Sequence, residues 1–195
     1  MSEASLQLWL IRHGETEWSL SGAHTSKTDI PLTARGEERA EKIRDYLAHR
    51  TFDLVLTSPM QRARETCRVA GYADVAQVDE NLREWDYGIY EGRTTADIRK
   101  EQPDWSIWDW PVPMGETVEH VAARTQQVID RALKSGGQVA LFAHAHVLRI
   151  LAATWLGLPP RAGSLLALGT GSVSTLGYER ETRVLSTWNR SFEVD

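Results

Sequence analysis

Arg12-His13-Gly14-Glu15-Thr16 comes directly after a short apolar run, so an arginine and a histidine stand where a buried strand ends. A neighbouring guanidinium disfavours imidazolium and leaves a neutral ring with a free lone pair. Such a ring can attack an electrophile, although a histidine so placed can equally be a core residue with both nitrogens satisfied. Gly14 is expected to let the chain turn sharply so that the imidazole faces outward, and Arg12 sets a planar charged fork beside it. A second histidine, His144, closes another apolar run and begins His144-Ala145-His146. Ser58-Pro59 predicts an N-cap and first helical residue, which puts Arg62 in a first helical turn. Glu84, Asp86 and Glu91 supply three carboxylates in one short block.

Other chemistries are excluded by inspection. No Gly-x-Ser-x-Gly occurs, so the hydrolase elbow is missing. The stretch from Gly22 to Thr28 lacks the glycine before Lys27 that a phosphate loop needs. Cys67 has no phosphatase-loop arginine and reads as a small buried hydrophobe. His144 and His146 lack a nearby Cys or Asp, which makes them a weak metal pair. The chain of 195 residues carries a formal net charge of -5, against a nucleic-acid footprint. Its single cysteine forbids an internal disulfide and points to a reducing, cytoplasmic home. No signal peptide is read at the start, and His144, His146 and Arg149 interrupt the one stretch apolar enough to suggest a membrane span. We expect no membrane partner.

These residues need elements to hold them. Strands are predicted over 6–11, 53–57, 74–78 and 138–143, with two more over 165–178 and 183–188 as a hairpin. Helices are predicted over 33–49 (with Thr33 as N-cap), from Pro59 to about 70, over 118–135 and over 146–156. The segment 14–32 has no usable period and is read as a functional loop. Residues 81–115 hold four of the eight tryptophans and three of the seven prolines. That segment is read as an excursion with one short helix, about 95–101, near the site. The whole is expected to be one domain, a three-layer α/β/α sandwich with a largely parallel sheet and a small helical or loop insertion. His13 and His144 then meet beyond the carboxyl ends of strands, where sites in such folds gather.

In order along the chain, Leu10-Ile11-Arg12-His13-Gly14-Glu15-Thr16, Thr28-Asp29-Ile30-Pro31-Leu32-Thr33 and Ser58-Pro59-Met60-Gln61-Arg62-Ala63 resemble motifs of the histidine phosphatase superfamily, the phosphoglycerate-mutase-like enzymes. Leu82-Arg83-Glu84-Trp85-Asp86-Tyr87-Gly88 and Phe142-Ala143-His144-Ala145-His146 continue the series. The resemblance leans to the small acid phosphatases and the sedoheptulose-bisphosphatase-like branch. It implies a phosphomonoesterase acting on a small phosphate ester, such as a sugar phosphate, with no metal or cofactor. A phosphoglycerate-type mutase and a non-catalytic phospholigand binder of the same fold are the alternatives.

The resemblance assigns His13 as the nucleophile that becomes phosphorylated, with Arg12 and Arg62 on the phosphoryl oxygens. His144 is a further positive donor, and Glu84 the acid and base, with Asp86 and Glu91 as competitors. Backbone N–H groups at the helix starts before Arg62 and at Ala145 are expected to add to the anion site. Ser19, His24, Thr25, Ser26, Tyr87, Ala145 and Arg149 are expected to bind substrate. Ser19 replaces an asparagine usual in the mutases, which weakens the mutase reading. Ala145 replaces a usual glycine, which is tolerable only if the backbone there is helical. Monomer and homodimer both fit the sequence.

Overall fold

The computed structural model describes residues 6–193. Its strands are β1 (Gln7–Arg12), β2 (Leu54–Thr57), β3 (Ala76–Val78), β4 (Gln138–Ala143), β5 (Val173–Glu179) and β6 (Thr182–Arg190). They form one sheet in the order β3-β2-β4-β1-β5-β6. The pairs among the first four strands are parallel, and β5 and β6 add antiparallel pairs at one side. The helices are α1 (Glu17–Ser21), α2 (Ala34–Leu47), α3 (Gln61–Val69), α4 (Thr95–Glu101), α5 (Val118–Ser135) and α6 (Ala145–Trp155). Among the described residues no helix is long and apolar enough to cross a membrane.

Alternation along β1 explains the layers. Leu8 and Leu10 point to one face and pack with Val121 and Val128 of α5 and Leu148 and Leu151 of α6. Trp9 and Ile11 point to the other and pack with Ile43 and Leu47 of α2 and Cys67 of α3. A sheet apolar on both faces must be covered twice, which gives the α/β/α sandwich. Burial pushes the Cys67 thiol up to about 12, so it packs as an inert hydrophobe. Thr33, Thr94 and Thr117 cap α2, α4 and α5, each side-chain oxygen accepting a backbone N–H three residues on.

Four local expectations are corrected. The helix carrying Arg62 starts at Gln61 rather than Pro59, and Met60 stands at its N-cap without a side-chain bond. The segment 14–32 contains α1, five residues with none buried, held by a Thr16–Ser19 capping box. The strand expected from 165 begins only at Val173, because Pro160–Leu165 forms a 3-10 turn. Gly14 is glycine for closeness rather than for a special turn: a Cβ there would sit 2.4 Å from the Gly36 carbonyl oxygen. The chain after β1 thereby packs directly on the start of α2. Residues 81–115 are short helical turns and loops around α4, as expected.

Candidate active site

β1 and β4 are neighbours in register, Arg12 opposite Ala143, so the next residues, His13 and His144, emerge side by side. Their ring centroids are 5.1 Å apart, edge to face. The His13 Nδ1 lies 2.6 Å from the carbonyl oxygen of Gly14. A carbonyl only accepts, so Nδ1 carries the proton and the lone pair lies on Nε2. Burial, and then the charges of Arg12 and Arg62, hold the His13 ring well below the usual histidine range. It is a neutral ring with a free Nε2.

Arg12 donates through Nη1 to the Leu168 carbonyl, while its buried Nε has no partner. Burial lowers its pKa to about 10, opposed by Glu84, so it stays a cation at neutral pH. Such an under-satisfied guanidinium is stabilised by an arriving anion. Beside it, the Glu84 carboxylate accepts backbone N–H groups of Trp85 and Val147 on Oε1, at 2.9 Å each, and of His146 on Oε2, at 3.0 Å. Oε2, with the lighter load, is the oxygen free to carry a proton.

A cavity of about 350 Å³ opens over these groups. Of the residues expected at the site, Arg12, His13, Ser19, His24, Thr25, Glu84, Tyr87 and Ala145 line it. Ala145 is the first residue of α6, so its backbone is helical and the methyl fits. A larger hollow of about 620 Å³ near Cys67 and Arg64 has no comparable set. Of the three carboxylates in the 84–91 block, Glu84 alone faces the cavity. Asp86 pairs with Lys27 at 2.6 Å, and Glu91 accepts the amides of Ser26 and Thr28.

Several expected residues lie elsewhere. Arg62 is fully buried beneath the floor, donating to the carbonyls of Thr25, Ser26 and Thr28 and through Nε to His144 Nδ1 at 3.1 Å. That bond fixes the His144 tautomer: Nδ1 accepts, and Nε2 donates to Ser58 Oγ at 2.7 Å. Burial, and next Arg62, push His144 well below the usual range, so it is a neutral brace rather than the expected positive donor. Ser26 is buried in the turn that Arg62 and Glu91 hold. Arg149 donates to Gly163 and Ser164 carbonyls, lies over the Trp108 ring and is not among the residues lining the cavity. Some helix-start amides are already taken, although that of Ala145, which lines the cavity, has no acceptor among the described residues. Asp29 takes the Gln61 N–H at α3, and Glu84 takes those of His146 and Val147 at α6.

His146, read from sequence only as a weak metal ligand, lines the cavity. Its Nδ1 lies 2.7 Å from the Tyr87 hydroxyl, which burial keeps protonated, so that nitrogen is engaged by the phenol. Trp105, Ile107 and Trp108 of the excursion form an apolar wall, and Thr95, Arg99 and Ser106 are polar groups within it. No local motif marks these positions.

The histidine phosphatase superfamily (branch 1) family model matches residues 8–191, nearly the whole chain. The chain belongs to the histidine phosphatase superfamily. This histidine phosphatase is 39% identical over 184 residues to an acid phosphatase of Mycobacterium tuberculosis, covering 92% of this chain and 90% of that protein. It is 36% identical over 182 residues to the sedoheptulose 1,7-bisphosphatase of Saccharomyces cerevisiae, covering 76% and 67%. Among solved structures, one of an open reading frame from Mycobacterium tuberculosis superposes with a TM-score of 0.90 at 37% identity, covering 95% and 98%.

One pH effect follows for this histidine phosphatase. His13, His144 and His146 are all held well below the usual histidine value, chiefly by burial. The unfolded chain therefore binds more protons between that value, near 6.5, and the lower folded ones. Stability is full above pH about 6.5 and falls as pH drops below it. Thermal unfolding at pH 7.5 and pH 5 is expected to give a lower Tm at pH 5. A flat Tm across that window contradicts it.

Proposed function

We propose that this chain is a metal-independent phosphomonoesterase, hydrolysing a small phosphorylated metabolite such as a sugar phosphate through a phosphohistidine at His13. The observation that carries it is the His13 tautomer, with Nδ1 tied to the Gly14 carbonyl and the Nε2 lone pair left for the cavity that Arg12 and Glu84 share. In the first step Nε2 attacks phosphorus and the ester P–O bond breaks. The leaving oxygen takes a proton from Glu84. In the second, Glu84 removes a proton from water as the oxygen attacks phosphorus and the P–N bond breaks, releasing phosphate.

Arg12 holds the phosphoryl oxygens. Arg62 adds charge from beneath the floor, and His144 braces it. Ser19, His24, Thr25, Tyr87 and Ala145 bound the substrate. Catalysis of this kind is mostly positioning and charge stabilisation, which fixed guanidiniums supply. We place the activity in the cytoplasm, which suits a lone buried thiol, in a monomer or homodimer.

The test is turnover of p-nitrophenyl phosphate and of a panel of phosphorylated sugars, before and after exhaustive dialysis against EDTA. Activity is expected to survive chelation within about 2-fold, because guanidiniums rather than a metal supply the positive charge. Activity lost with EDTA and restored by zinc or magnesium overturns the mechanism. Turnover of 3-phosphoglycerate only with a bisphosphate primer identifies a mutase instead, and no turnover of any ester identifies a binder.

A further inference from the structure

We propose that Arg99 is a specificity residue that holds a second anionic group, so that preferred substrates carry a phosphate ester and, further along, another phosphate or a carboxylate. This rests on the phosphomonoesterase reading and adds to it a substrate class.

The cavity is lined by two guanidiniums, Arg12 and Arg99, and by one carboxylate, Glu84. Glu84 already meets three backbone N–H groups, so neither cation is consumed in balancing it. Arg12 stands beside His13, and the reacting phosphoryl group takes it up. Arg99 comes from a different element, α4, in the excursion. Arg12, Arg62 and Arg149 have no salt bridge either, but they spend their donors on backbone carbonyls or His144, and other cations nearby are paired. Lys27 pairs with Asp86, Arg93 with Glu101, Lys100 with Asp97 and Arg161 with Asp109. Among the described residues Arg99 has no carboxylate partner. The chain as a whole is acidic, at -5, so an excess of positive charge in this cavity is local.

Arg99 is also fixed in place. Its Nε donates to the Trp105 carbonyl at 2.9 Å, which anchors the planar fork against the tryptophan wall. Neither terminal nitrogen has a protein partner among the described residues. Thr95, one turn earlier on the same face of α4, lines the cavity with it, and so does Ser106. A held fork flanked by hydroxyls loses little freedom when it binds an oxyanion, so its charge-assisted bonds translate into affinity. Arg99 is exposed at the edge of the cavity, where its charge draws polyanions over monoanions.

The experiment compares matched esters that differ by one anionic group: 3-phosphoglycerate against glycerol 3-phosphate, and fructose 1,6-bisphosphate against fructose 6-phosphate, with p-nitrophenyl phosphate as a reference. Wild type is expected to show kcat/KM about 10-fold or more higher for the doubly anionic member of at least one pair, the worth of a charge-assisted contact. In Arg99→Gln that ratio collapses toward one, and Arg99→Lys restores part of it. Higher salt shrinks the wild-type ratio. No preference in either pair overturns the proposal, as does one that survives in Arg99→Gln or a fall equal for both members. In each of those cases turnover of p-nitrophenyl phosphate leaves the phosphatase reading standing. If wild type hydrolyses none of these esters, that reading fails and this one with it.

Discussion

His13→Ala is expected to abolish turnover, by roughly 10⁴-fold or more, while the protein stays folded. The loss is large because the nitrogen next to Arg12 that forms the bond to phosphorus is removed, and His24, whose Nδ1 likewise bonds a carbonyl, that of Arg93, stands on a different segment, against Tyr87 and Trp105. His144 has both nitrogens engaged, one by Arg62 and one by Ser58, and His146 gives its Nδ1 to Tyr87. The structural cost is small because the His13 ring makes one hydrogen bond, to the neighbouring carbonyl, and lines a cavity rather than filling the core. A bond of that kind contributes about 1 kcal/mol. That shifts the Tm of a chain this size by roughly 2–4 °C. Activity and thermal unfolding measured on the same preparation decide the matter. Loss of activity together with a collapse of Tm makes His13 a core residue after all. The tautomer adds a chemical signature: trapped phosphate must sit on Nε2, since Nδ1 holds the proton that bonds Gly14.

Glu84→Gln is expected to slow esters of alkyl alcohols by about 10²–10⁴-fold, the usual worth of general acid catalysis, and esters of p-nitrophenol far less. An alkoxide departs badly without a proton, whereas nitrophenolate needs little help. Glutamine keeps an oxygen for backbone donors but cannot deliver the proton. In the proposed mechanism the same residue activates water in the second step, so the variant should accumulate acid-labile, alkali-stable phosphate on His13, detectable by mass. Rates for both ester classes are compared in wild type and variant. Equal, small losses with no trapped phosphate remove Glu84 from the mechanism. Asp86 and Glu91 are poor substitutes, because one is tied to Lys27 and the other to the amides of Ser26 and Thr28.

The regular elements were legible because burial imposes period. Val121, Val128 and Ala132 recur on one face of α5, and Leu8 and Leu10 alternate with Trp9 and Ile11 in β1. α1 was not legible, since five residues with none buried leave no pattern. At the site, His13, Arg12 and Glu84 could be placed in the cavity because strand ends and a local motif put them there. Arg62 and His144 were identified as residues, but their protonation and direction depend on each other across 82 positions, which no local spacing encodes. The start of α3 failed for the same reason. Asp29 takes the first helical amide from 32 residues away, and the apparent cap Ser58 serves His144 instead. The wall made by Arg99, Trp105 and Trp108 depends on how the excursion folds back, and tryptophans that pack on themselves read identically in sequence to those that face a ligand.

The turn 25–28 has no regular structure, yet its polar backbone is held from two distant places. Arg62 reaches its carbonyls across 34 to 37 positions, and Glu91 reaches its amides across 63 and 65. Closing such separations has an entropic cost that local helix formation does not. The cavity wall at Thr25 is therefore expected to form only after α3 and the excursion have docked, late in the folding of the chain. Helix content is expected to return before the pocket is assembled. Recovery of catalysis after refolding should therefore lag recovery of helix content, and equal rates for the two contradict this order.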